Sequence, residues 1–261
     1  MPSIATNVAA NSSIFFLNRN SDNQASSLGK ISSGSRIVKA SDDAAGAAIA
    51  SGLQSDISTL EVVGQTVKQL DALLQIADGG LQRVGEILQR QKALASQYGS
   101  GTVSATEQSF IDVEMGELAT QIDLIGTSTT YNGDALIGGA FNVTAIVGSA
   151  SADTIDINLT SVDVSGLGET TGANITQVEA AIDNVGTFRA TVGSLQSVVG
   201  FQGEVAATQL ENLQAAKSAI ADVDIAAEQT RFTNFQVLTE AAIAGLSQAN
   251  QLSQSLLALL R

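Results

Sequence analysis

Leu53-Gln54-Ser55-Asp56-Ile57-Ser58-Thr59-Leu60-Glu61-Val62-Val63-Gly64-Gln65-Thr66-Val67 is the middle of a longer stretch, Ala44 to Tyr98, whose reading decides the fold. Stepping by seven from Leu53 gives Leu60, Val67, Leu74, Leu81, Leu88 and Ala95 without a polar interruption. A second row, offset by three, runs through Val63, Leu70, Ala77 and Val84 and ends at Gln91. Alternating gaps of three and four over many turns mark a helix whose apolar seam faces another helix. At 1.5 Å per residue such a helix is roughly 80 Å long, far beyond the three turns of an average globular helix. Asp78-Gly79-Gly80 reads locally as a stop, since each interior glycine costs about 1 kcal/mol. The seam keeps its phase across it, so one helix is expected, straight or kinked there.

Composition narrows the function classes. The chain has 261 residues, one proline, no cysteine, no histidine and no tryptophan, and its aromatic content of 4% is thin for an enzyme core. Without cysteine there is neither a disulfide framework nor a thiolate metal site. Serine–histidine and cysteine–histidine catalysis and zinc-protease chemistry are excluded as well. The net charge of −14 argues against nucleic acid, which needs clustered lysine and arginine. Between Ala93 and Phe188 there are twelve acids and no lysine or arginine, so this middle part is expected to face solvent. No run is long enough to span a membrane, and no cleavable signal is visible at the first residues.

In chain order, residues 1–30 show weak helical spacing, with Ile4, Val8 and Phe15 on one face. A short helix of this kind needs a packing partner. Ile31 to Arg36 reads as a polar connector, and Ser41-Asp42-Asp43 as a cap opposing the dipole of the long helix. After Gly99-Ser100-Gly101 a second helix, 104–128, carries the seam Ile111, Met115, Leu118, Ile122, Ile125 and turns back antiparallel. The period then changes to two. Tyr131-Asn132-Gly133-Asp134 is a turn signal; Phe141, Val143, Ala145, Val147 and Ile155, Ile157, Leu159 alternate, giving one small β-hairpin region over about 131–170. A further long helix, 176–220, repeats Val178, Val185, Val192, Val199, Ala206, Leu213 and Ile220.

The last element carries Phe235, Ala242, Ala249 and Leu256 on one row and Leu238, Leu252 and Leu259 on the next, with Ile243, Leu246, Leu257 and Leu260 outside both. One partner helix cannot cover so wide an apolar arc. Burying each leucine is worth about 1.5–3 kcal/mol, so further copies of the chain are the expected cover. Ile4, Val8, Phe15, Phe235, Leu238, Leu246, Leu252, Leu256, Leu257, Leu259 and Leu260 are the candidate self-assembly surface. A subunit with different apolar patches at its ends makes heterologous contacts, which propagate a helix when they do not close a ring.

The residues themselves resemble bacterial flagellin at both ends. Ile31-Ser32-Ser33-Gly34-Ser35-Arg36-Ile37 and Ala40-Ser41-Asp42-Asp43-Ala44-Ala45-Gly46-Ala47-Ala48-Ile49-Ala50 resemble the family's N-terminal signature. Tyr131-Asn132-Gly133 resembles the close of its N-terminal conserved part. Ile220-Ala221-Asp222-Val223-Asp224, Gln248-Ala249-Asn250-Gln251 and Leu256-Leu257-Ala258-Leu259-Leu260-Arg261 resemble its C-terminal signature. The resemblance implies a mainly α fold: an elongated antiparallel bundle of long helices (41–221) with its hairpin, and a terminal coiled-coil domain of 1–40 with 222–261 as polymerisation core. The outer variable domains look absent. It implies a secreted, self-assembling filament subunit for swimming, without cofactor or enzymatic activity. Its implied partners are an export chaperone, a filament cap and hook–filament junction proteins, with no nucleic acid and no membrane.

Further readings belong to particular residues. Some family members are bound by a Toll-like innate receptor through Leu-Gln-Arg-x-x-x-Leu-Ala and a following glutamate; Leu88-Gln89-Arg90, Leu94-Ala95 and Glu114 match, and Arg90 and Leu94 fall off the seam rows, hence outside. Gln91-Lys92-Ala93 departs from that pattern. Asn142-Val143-Thr144, Asn158-Leu159-Thr160 and Asn174-Ile175-Thr176 match N-glycosylation acceptors. Alternative functions are a hook–filament junction protein or a surface adhesin. Ser27-Leu28-Gly29-Lys30 matches a nucleophile tetrapeptide without its companion motifs, and Asp222, Asp224 and Asp153 to Asp156 are too few for a calcium loop.

Overall fold

A computed structural model of the chain describes residues 7–150, 152–159 and 175–259, the last four by their backbone alone. Five helices and two hairpins follow one another: α1 (Val8–Ser33), α2 (Ala44–Tyr98), α3 (Ala105–Ser128), β1 (Thr130–Tyr131), β2 (Asp134–Ala135), β3 (Phe141–Ile146), β4 (Thr154–Leu159), α4 (Ile175–Ala221) and α5 (Ile225–Leu259). They form two units, Met1–Ser55 with Leu213–Arg261, and Asp56–Asn212.

In the second unit both rows of α2 are inside. Leu60, Leu74, Leu81 and Leu88 are at most 2% exposed, and so are Ala77 and Val84 of the second row. The opposing row of α4, Val178, Val185, Val192, Val199 and Ala206, is buried too. The two run antiparallel, as the ion pairs Lys92–Glu179 (2.9 Å) and Arg189–Asp78 (2.8 Å) require. Helix α3 turns back on α2: Arg90 pairs with Glu114, and Gln108 Nε2 reaches the Tyr98 carbonyl. Its start is fixed by a reciprocal cap, Ser104 Oγ accepting from Glu107 N while Glu107 Oε2 accepts from Ser104 N. That bond, and a second from the Ser104 hydroxyl, hold the Glu107 carboxyl below its ordinary value.

The expectation that the second row ends at Gln91 is corrected. Gln91 is fully buried, its Nε2 donating to the Met115 carbonyl at 3.1 Å, so the row continues through a polar residue. The connector expected from Ile31 begins later, because α1 runs to Ser33 and ends at Gly34 with φ 70°. Of the proposed α2 cap, Asp43 does the work, its Oδ1 accepting from Gly46 N. Asp42 instead accepts from the Lys39 and Val38 amides, which lower its carboxyl below the usual value.

Where one hairpin region was expected there are two antiparallel hairpins. The first closes on Asn132 and Gly133, both at positive φ (53° and 94°), the turn that asparagine–glycine favours. In the second, Phe141 faces Leu159, Val143 faces Ile157 and Ala145 faces Ile155, with Phe141, Ala145, Ile157 and Leu159 buried. The expected extension of this region to residue 170 lies outside the described residues.

Helix α2 passes through Gly79-Gly80 unbroken, and the two glycines differ. A Cβ on Gly80 would collide with Ile137 Cδ1 and lie 2.8 Å from Thr129 Oγ1, whereas one on Gly79 would meet nothing. Gly80 lets the first hairpin lie against the helix. Gly79→Ala should therefore stabilise the chain by about 0.5–1 kcal/mol, and Gly80→Ala destabilise it by about 1–3 kcal/mol, in urea unfolding of the unassembled chain. Equal effects of the two would contradict this packing.

Candidate assembly surface

The first unit pairs α1 with α5, antiparallel. Asn7 Nδ2 donates to the Ala249 carbonyl, Ser13 lies beside Gly245, and a bridge joins Ser35 to Asp222. The facing positions keep coiled-coil spacing: Ala10, Ser13, Leu17, Asn20, Gln24, Ser27 and Ile31 on α1 are buried or half-buried, as are Glu228, Phe232, Phe235, Thr239, Ala242, Leu246, Ala249 and Ser253 on α5. More than half of the α1 positions are polar. Asn20, Ser27 and Glu228 are among the most buried residues of the pair, at 8%, 3% and 4% exposed. Glu228 finds its cation on its own helix, Arg231 at 3.2 Å.

Leu17, Ile31, Phe232, Phe235 and Leu246 apart, the large apolar side chains lie outside this seam. Val8, Phe15 and Phe16 of α1 are 69%, 62% and 49% exposed, and Leu238, Ile243 and Leu252 of α5 are 49%, 54% and 57% exposed. Phe15 and Phe16 stand edge to face, with the Arg19 guanidinium 5.9 Å from the Phe16 ring. A soluble helix pair ordinarily puts such residues in its seam and its polar ones outside. Here the α1 half of the seam is mostly polar while large apolar side chains face outward on both helices, so the pair leaves much of its apolar surface uncovered.

Of the candidate surface residues, Val8, Phe15, Leu238 and Leu252 are exposed, while Phe235 and Leu246 are half-buried in the intramolecular seam. Leu256, Leu257 and Leu259 continue α5, their side chains outside the described residues, and Ile4 and Leu260 lie outside them altogether. The two-row pattern caught the C-terminal seam but not the polar α1 seam, which apolar periodicity cannot reveal.

Terminal helical halves flanking a hairpin region point to one kind of protein, and comparison agrees. Residues 4–142 match the model of the bacterial flagellin N-terminal helical region, and residues 175–260 that of the C-terminal helical region. The chain belongs to the bacterial flagellin family. It is 34% identical to a flagellin of Halalkalibacterium halodurans, over 89% of this chain and 90% of that one. It is 31% identical to a flagellin of Bacillus subtilis, over 98% of each. A flagellar filament 33 kDa core protein of Treponema phagedenis is 31% identical, over 89% of this chain and 90% of that one. As a flagellin the chain is a structural, non-enzymatic subunit of the extracellular flagellar filament. Among the described residues no helix is long and apolar enough to cross a membrane.

The remaining site residues fall as follows. Arg90 donates Nε and Nη2 to one oxygen of Glu114, at 2.9 and 2.7 Å, on the surface between α2 and α3. Leu94 is 3% exposed, which corrects the expectation that it lies outside. Two helices cover α2 there, so its buried arc is wider than a two-row seam. Asn142 and Asn158 are exposed and directly opposed across the second hairpin, with Thr144 Oγ1 donating to Asp156 beside them. Asn174 lies outside the described residues.

Proposed function

We propose that residues 1–40 with 222–261 form the polymerisation core of the filament, and that its growth is driven by covering the outward apolar rows of α1 and α5 with the same unit of neighbouring copies. The observation that carries this is a helix pair whose α1 seam is mostly polar and which leaves Val8, Phe15, Phe16, Leu238, Ile243 and Leu252 outside. Each such side chain contributes about 1.5–3 kcal/mol once covered, against weak cohesion within the pair itself. Rows on two helices meeting different rows on a neighbour make a heterologous contact, which extends without closing. Before assembly an export chaperone covers the same rows, and at the filament ends cap and junction proteins present matching ones.

Purified chain seeded on short filament fragments tests this. The full chain should elongate the seeds under electron microscopy, and a chain lacking Leu256 to Arg261 should remain folded over residues 56–212 yet add nothing. Filaments of unchanged morphology from the shortened chain would refute the reading.

A further inference from the structure

Nothing in the local sequence ends α4 where it ends. Ser218-Ala219-Ile220-Ala221-Asp222-Val223-Asp224-Ile225-Ala226 contains neither glycine nor proline, the residues that usually stop a helix. The start of α5 does have a local cause. Asp224 Oδ1 accepts from Ala226 N and Ala227 N at 2.9 and 3.1 Å, and its carbonyl takes Glu228 N. An aspartate inside a helix costs only about 0.7 kcal/mol or less, so this cap alone does not interrupt a run of good helix formers on both sides.

The stop itself comes from 184 residues away. Arg36 Nε and Nη2 both donate to the Ile220 carbonyl, at 3.1 and 2.8 Å. Arg36 N and Ser35 Oγ both donate to the Ala221 carbonyl, at 2.7 and 3.0 Å. In a continuing helix those two carbonyls would take the amides of Asp224 and Ile225. Val223 N, whose helical partner would be the Ala219 carbonyl, donates instead to Gly34 O at 3.1 Å. The five bonds of the clasp therefore take the place of three bonds of helix propagation. The clasp is in turn prepared locally, since Gly34 at positive φ ends α1, and the Arg36 guanidinium lies 3.7 Å from Asp43, the cap of α2.

We propose that Arg36 is a positioning residue for assembly: it terminates α4 from a distance, and so turns what would be one helix over 175–259 into two, with α5 laid back on α1. This rests on the terminal unit being the polymerisation core, because only then does the placement of α5 matter for growth. Lysine cannot replace it, as a single ammonium lacks the fork that puts two donors on one carbonyl.

The test uses the full chain in three measurements. Cα chemical shifts of Asp222, Val223 and Asp224 report the break. A disulfide between Ser13→Cys and Gly245→Cys reports α5 on α1, in a chain with no cysteine of its own. Elongation of wild-type seeds reports assembly. In the wild-type background the three shifts should be non-helical between helical flanks, and the disulfide should form. In Arg36→Ala and in Arg36→Lys the Ile220 carbonyl is freed for the Asp224 amide, so the Asp224 shift should move to helical values, and disulfide yield and elongation should each fall at least tenfold. Unmoved shifts in Arg36→Ala, coil shifts throughout α5, or normal growth of Arg36→Lys would each overturn the proposal. Failure of the underlying reading looks different: growth would then survive loss of Leu256 to Arg261, while shifts and disulfide would still report the break.

Discussion

Phe15→Asp should abolish elongation of filament seeds, with incorporation falling more than a hundredfold, while the chain stays soluble and residues 56–212 keep their unfolding midpoint. Phe15 is 62% exposed on the face of α1 turned away from α5, so the substitution removes no contact that the isolated chain makes in its seam. In the proposed polymerisation core the same position enters an apolar contact. There each copy loses about 1.5–3 kcal/mol of burial and gains an unpaired carboxylate whose desolvation is unfavourable. A tenfold change needs only about 1.4 kcal/mol, so the two effects together exceed a hundredfold. Leu238→Asp on α5, 49% exposed, should act alike. Seed elongation by Phe15→Asp at the wild-type rate would show that this face of α1 stays uncovered in the filament.

How much of this was legible in the sequence depended on whether a seam is written in apolar residues. The rows of α2 and α4 are almost uniformly leucine, valine and alanine, so their period, their length and their burial could be read directly. The hairpins were readable from asparagine–glycine and strict alternation, although Thr130-Tyr131 and Asp134-Ala135 are too short to register as strands. The terminal pair was legible only by its surplus. Phe15, Leu238 and Leu252 announced surface that one molecule does not hide, but the α1 face that meets α5 is built from Ser13, Asn20, Gln24 and Ser27, which no hydrophobic pattern marks. Gly80 and Gly79 are the same letter twice, told apart only by Thr129 and Ile137 arriving from another part of the chain. The α4 stop fell where the seven-residue row ends at Ile220, but its cause was not legible, since its donors sit on Ser35 and Arg36. Leu94 was misplaced because two rows describe a helix with one neighbour, and α2 has both α3 and α4 beside it.

Gln91→Leu should raise the stability of the unassembled chain by about 1–3 kcal/mol in urea unfolding. The side chain stands in a row where Ala77 and Val84 are at most 1% exposed, and it is fully buried itself. Its Nε2 has a partner in the Met115 carbonyl, but its Oε1 finds no donor among the described residues. A neutral hydrogen bond contributes about 0.5–1.5 kcal/mol net, while a buried acceptor without a donor costs about 1–3 kcal/mol. The lost bond is the smaller quantity, because the Met115 carbonyl lies inside α3 and still has its helical partner there. Leucine is near in volume and adds apolar burial in place of an amide. Gln91→Glu should go the other way by 3 kcal/mol or more, since it buries a charge at the same spot. If Gln91→Leu proved neutral or destabilising, Oε1 would have to be satisfied after all, by an internal water between α2 and α3. A high-resolution filament reconstruction would then show that water within hydrogen-bond distance of Gln91.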